Sequence, residues 1–186
     1  VTSDPSSQSG NALLFRRICV KAAGAATAAL LHWAAPSGAA ESIAATIPVA
    51  IVDFDYIDSS GEAQDQTGKH RTLMQTFMDS LREELSASEK YRPVALNCGA
   101  EPCSAAHVDP SRLLAAARSA GAALIVYGGI HKMSTLVQTA KVQVVDLEKD
   151  KLVLDRFLTF RGDDEGAWRR AEAFIAADLK TQDLIP

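Results

Sequence analysis

The stretch between residues 136 and 160 constrains the fold more than any other. Thr139, Lys141 and Gln143 alternate with Ala140, Val142 and Val144, the period of two that a strand shows when one face meets a core and the other meets water. A polar run, Glu148-Lys149-Asp150, joins this strand to a second apolar-rich segment at residues 152–160. Two such runs separated by so short a turn predict an antiparallel hairpin. A chain ending this way does not complete an all-parallel, doubly wound sheet with a nucleotide-style crevice of reactive acids.

Upstream the pattern differs. Residues 47–54 are almost continuously apolar, as in a strand buried on both faces, and Asp53, Asp55 and Asp58 crowd its end. A polar, glycine-containing loop at 58–68 follows, and from Lys69 onward Leu73, Phe77, Leu81 and Leu85 recur on one helical face. Residues 91–96 read as a second short strand. Asp109-Pro110 places an N-cap before a proline at the first helical position, Leu113, Leu114 and Ala117 repeat behind it, and Gly121 stops the helix. Residues 122–129 form a third strand, which Gly128-Gly129 allow to bend away. Asp163 or Asp164 caps a last helix carrying Trp168, Ala171, Ile175 and Leu179 on one side. The order β-α-β-α-β-β-β-α predicts an α/β fold: a mixed five-stranded sheet with a parallel βαβαβ start, an antiparallel hairpin end and about three helices.

The first forty residues read as an export signal rather than as part of this fold. Arg16, Arg17 and Lys21 precede an alanine-rich apolar run at 22–35, too short for a membrane span of about 20 residues. Pro36 and the small residues Ser37-Gly38-Ala39-Ala40 suit cleavage near Ala40. The run Arg16-Arg17-Ile18-Cys19-Val20-Lys21 resembles the twin-arginine export motif, with Phe15 and Cys19 at positions where that motif has other residues. The expected organisation is a signal at 1–40 and one domain at 41–186, soluble in the periplasm. The signal carries Arg16, Arg17 and Lys21 but only one acid, Asp4, so the remaining domain is more acidic than the whole chain, whose net charge is −4. Such a surface offers no basic field for phosphate backbones, and nucleic acid is not an expected partner.

Cys98 and Cys103 remain as an even pair in an oxidising compartment, and a local disulfide is expected. A metal half-site or redox pair would need a second cysteine pair or CxxC spacing, and neither occurs.

Several groupings invite a chemical reading. Asp53-Phe54-Asp55 behind an apolar strand has the spacing by which haloacid-dehalogenase-type phosphatases place a nucleophile and an acid/base around magnesium, and Gly162-Asp163-Asp164 imitates their late magnesium motif. Ile57 and the hairpin before Gly162 depart from that pattern. The acids Asp53, Asp55, Asp58, Glu62 and Asp65 have calcium-like density, but the EF-hand offsets are missing and the stretch reads as a solvated acidic loop rather than a metal site. His70, His107 and His131 sit in separate elements without zinc spacing. His131, Lys132 and Met133, in a predicted loop, together with Trp168 mark a candidate partner surface. The structural alternative places Met133, Leu136 and Trp168 in the core or over a sheet edge. No residue pattern requires a cofactor.

The strings Val49-Ala50-Ile51-Val52-Asp53-Phe54-Asp55, Ala120-Gly121-Ala122-Ala123-Leu124-Ile125-Val126-Tyr127-Gly128-Gly129 and Val142-Gln143-Val144-Val145-Asp146 resemble the α/β domain shared by the TolB N-terminal domain, CsgG and the outer-membrane lipoprotein activators of peptidoglycan synthases. Ala123 stands where that group has aspartate, and Lys149-Asp150 replaces its glycine turn. His131-Lys132-Met133-Ser134-Thr135-Leu136 and Phe160-Arg161-Gly162-Asp163-Asp164-Glu165-Gly166-Ala167-Trp168 resemble exported proteobacterial families of domains of unknown function, the 2380/3280 type. This resemblance implies a small envelope protein whose partners are other envelope components, and it brings no catalytic residues. The expected function is that of an exported, non-enzymatic accessory or adaptor protein binding a protein or small envelope ligand, with an exposed sheet edge able to support a homodimer. The alternative is a magnesium-dependent phosphohydrolase using Asp53 and Asp55.

Overall fold

In the computed structural model, which describes residues 46–99 and 102–185, the C-terminal hairpin forms as expected. Its strands are β5 (Val137–Asp146) and β6 (Lys151–Arg161), antiparallel from Val137↔Arg161 to Asp146↔Lys151. The predicted export signal lies outside the described residues.

Ahead of the hairpin come β1 (Ile47–Ile51), β2 (Asp55–Asp58), α1 (Thr67–Ser86), β3 (Tyr91–Val94), α2 (Pro110–Ser119) and β4 (Leu124–Lys132), and α3 (Glu165–Thr181) follows it. The main path of the sheet is β3-β1-β4-β5-β6, with β1 parallel to both β3 and β4. The sheet has six strands where five are expected, because the first apolar run is broken in two. At Asp53 the backbone N–H leaves the ladder to bond the Cys103 carbonyl at 2.8 Å, and β2 then resumes beside β4.

That break changes which side chains face which way. Ile51 pairs with Val126 and Asp55 with Gly129, so the chain spends one more residue here than β4 does. In a strand, a one-residue slip exchanges the two faces. Val49 and Ile51 belong to the core beneath α1 and α3, while after the slip Phe54 and Tyr56 do. Asp58 follows Tyr56 onto that side.

A second correction concerns β4. The strand does not bend away at Gly128-Gly129 but continues to Lys132, so His131 and Lys132 belong to a strand rather than a loop. Gly128 serves a different purpose. A Cβ there would collide with the Lys141 carbonyl oxygen and come within 3.0 Å of the Phe54 ring.

Helices cover the sheet unequally. On one face α1 and α3 bury Leu73, Phe77, Leu81, Leu85, Trp168, Ile175 and Leu179 against β1, β4, β5 and β6. On the other, α2 packs Leu113 and Ala117 onto Ala50, Val52 and Ile125, and Lys141, Asp155, Phe157 and Thr159 remain exposed. The cap of α3 is Asp164, whose carboxylate accepts the Ala167 N–H at 2.8 Å, which frees Asp163 for other contacts.

Candidate functional site: an ionic cluster beneath a cleft

Strands β2 and β4 run parallel and end together at Asp58 and Lys132. Their carboxyl ends meet the first turn of α1 and the Gly162-Asp163 segment entering α3. Lys132 is completely buried (0% exposed). Its Nζ donates to Glu62 Oε2 at 2.5 Å and to Asp163 Oδ2 at 3.0 Å, and lies 3.9 Å from Asp58. Burial would lower the Lys132 pKa, but the hydrogen bonds to Glu62 and Asp163 outweigh it and raise it.

Asp163 is the hub. It also accepts from Lys69 Nζ at 2.9 Å, His70 Nε2 at 2.8 Å and Gln138 Nε2 at 3.0 Å. Burial pushes its pKa up, yet the donors Lys69, Lys132 and His70 prevail and hold it at about 2. Gly162 supplies the backbone turn that presents it. Its φ of +106° is open to glycine, and a Cβ there would lie 2.8 Å from that of Ala167. Gln138 secures the turn by donating to the Gly162 carbonyl at 2.8 Å. The His70 ring, 2% exposed, stacks on Tyr56 with centroids 4.8 Å apart, and Trp168 packs behind both rings. Burial first, then the Asp58 charge, raises the Tyr56 hydroxyl well above its ordinary pKa.

A cleft of about 550 Å³ opens over this cluster. Phe54, Tyr56 and Met74 supply its apolar wall, Asp58, Glu62 and His70 its polar one, and Gln64, Asp65 and Arg71 its rim. The acids of the cluster are held by fixed donors, while the buried Gln138 Oε1 has no partner among the described residues. Asp163 has four donors, Glu62 is held low by its bond from Lys132, and Asp58 is held low first by the Ser60 hydroxyl and then by the Ser60 N–H. Removing Lys132 would strand buried acid charge and be strongly destabilising.

The candidate residues fall into separate settings. Asp53 pairs with Arg82 at 2.5 Å, Asp55 accepts the Ala106 N–H at 3.0 Å, and Asp163 belongs to the Lys132 cluster, so three different partner sets hold the phosphatase-like acids. Asp65 caps the Thr67 N–H. His107 bonds Ser104 at 2.7 Å and His131 bonds Ser59 at 2.6 Å, both apart from His70. Among the described residues no group of three or more His, Cys, Asp or Glu side chains is placed to hold a metal ion. Cys98 and Cys103 are joined, with Cα atoms 5.5 Å apart. Of the four candidate partner-surface residues, Lys132 and Trp168 (2% exposed) are buried in the structure, His131 is half-buried and Met133 is exposed. Lys132 turns inward because it sits on the same strand face as Leu124, Val126 and Ile130.

Sequence reasoning did not single out Tyr56, Lys69 or Gln138. For Gln138 a signal was present: period two places it on the dry face with Ala140, Val142 and Val144, where a polar residue needs a partner.

The model of the DUF3280 family, described as "Protein of unknown function (DUF2380)", matches residues 48–179, and this is a family the sequence resembles. A search of curated proteins found no match. Among solved structures, the chain is similar to the hypothetical protein CT253 from Chlamydia trachomatis, with a TM-score of 0.50 and 13% identity over 73% of this chain and 96% of that one. That likeness concerns the fold alone. Matches of lower TM-score are TolB from Acinetobacter baumannii (0.44, 15% identity, 73% of this chain and 28% of that one) and the LpoB C-terminal domain from Salmonella enterica (0.45, 12%, 64% and 85%).

Proposed function

We infer the function from one premise: the chain belongs to the DUF3280 family, whose model spans its folded core. It is an exported envelope accessory protein that works by binding, and the cleft at the carboxyl ends of β2 and β4 receives a segment of a partner polypeptide. The observation that carries this reading is that Asp163, at the centre of the cluster beneath the cleft, is engaged by four donors. Catalysis by acid, base or nucleophile needs a group free to exchange a proton or attack. Here the oxygens of Asp163 are bound by Lys69, His70, Lys132 and Gln138, Glu62 is bound by Lys132 and Asp58 by Ser60, which engages these acids in holding the fold together. An apolar wall with a mixed polar rim suits a side chain delivered by a peptide, the chemistry of an interface anchor. Export is supported by the leader-like residues 1–40 and by the Cys98–Cys103 disulfide, which persists in oxidising compartments. Among the described residues no helix is long and apolar enough to cross a membrane.

The test is a photoreactive residue placed in living cells at Arg71 or Met74, with Lys149 in the β5–β6 turn as control. The expected result is a discrete polypeptide adduct from the two cleft positions and none from Lys149. Absence of adducts from Arg71 and Met74, or magnesium-dependent phosphate release by the purified protein that Asp53→Asn abolishes, would overturn the reading.

A further inference from the structure

The two edges of the sheet are unlike. β3 is four residues long and contains Pro93, which cannot donate to a further strand. β6 has eleven residues, no proline, and among the described residues pairs only with β5. A bulge near Val153, where Val144 pairs with Leu154 and Val145 with Leu152, blunts only its beginning. Beyond it lies Asp155-Arg156-Phe157-Leu158-Thr159, and Phe157 is 66% exposed, more than any other large apolar side chain described. A long, regular edge with an uncovered aromatic is a template for another strand.

We propose that β6 pairs antiparallel with β6 of a second copy of this chain, the two-fold axis passing at Phe157. The register follows from geometry and charge. Facing residues must share a sheet face, so the axis passes through a residue position. Centring on Asp155 or Arg156 opposes like charges directly, and centring on Thr159 pairs only residues 157–161 of the strand. Within β6, centring on Phe157 or Leu158 opposes no like charges, and the Phe157 register pairs the longer stretch, residues 153–161. Only the Phe157 register sets the most exposed aromatic against its own mate, an aromatic cross-strand pair. It places Asp155 opposite Thr159 and Leu154 opposite Phe160. Within each copy Asp155 pairs with Lys141 at 2.5 Å and Arg156 with Asp178 at 2.6 Å. The self-complementarity of this one strand is what favours a second copy over a foreign strand.

Sedimentation of the full chain over a concentration series tests this, because Phe157 and Thr159 are exposed and their replacement spares the fold. A reversible dimer is expected. Thr159→Lys, which sets a cation opposite Asp155, should tighten it, whereas Thr159→Asp and Phe157→Asp should each weaken it at least tenfold with unchanged circular dichroism. A wild-type chain that stays monomeric at the highest concentration, or a dimer indifferent to Thr159→Asp, would overturn the proposal.

Discussion

Glu172 is a buried acid on α3 whose Oε1 has no hydrogen-bond partner among the described residues. Burial first, and then the Glu84 charge, raises its pKa from 4.5 to about 6. An acid whose folded pKa is raised contributes stability below its unfolded value, and that contribution is lost as pH rises through the folded one. At neutral pH Glu172 therefore costs stability. Glu172→Gln should raise the stability at pH 7 by roughly 1–2 kcal/mol and change little at pH 4. Urea unfolding at the two pH values checks this, and equal effects at both would show that ionisation is not the cause. Lys132 is the counter-example, a buried charge that is paired and whose removal would harm the fold at any pH where Asp163 is ionised.

Among the elements, β2 decides what the cleft contains. The one-residue slip after β1 turns Tyr56 and Asp58 toward α1, and Phe54 reaches across β4 through the space left at Gly128. Gly128→Ala should lower the urea midpoint, with a loss of about 1–3 kcal/mol from overpacking and an unchanged slope. At Gly68, near the start of α1, a Cβ meets nothing within 4 Å, and Gly68→Ala should be neutral or stabilising. Equal costs at both sites would mean that the Lys141 carbonyl and the Phe54 ring do not close the space at Gly128. This also explains what could be read before the structure was seen. Hairpin, helices and caps were legible because periodicity and local capping encode them, as with Thr139 to Val144 or Asp109-Pro110. The slip was not. Val52-Asp53-Phe54 reads as a continuing strand, and its interruption depends on the Cys103 carbonyl, fifty residues further along. The inward turn of Lys132 was hidden for a related reason: once β4 was expected to bend at Gly128, the face of residue 132 was no longer defined.

At the level of the whole molecule, the account separates a joint from a seat. The Lys132–Asp163–Glu62 cluster ties the ends of β2 and β4 to the starts of α1 and α3, and the cleft above it is the proposed seat for a partner. The proposed binding role requires that Asp163 stay ionised and bound to its donors. That requirement is tested most directly by following the Asp163 side-chain carbon by NMR as the folded protein is acidified. The account predicts a midpoint at about 2, with stability lost as pH falls from the ordinary aspartate value of 3.8 toward it. A midpoint at or above that ordinary value would contradict it, because Lys69, Lys132 and His70 would then not hold Asp163 ionised.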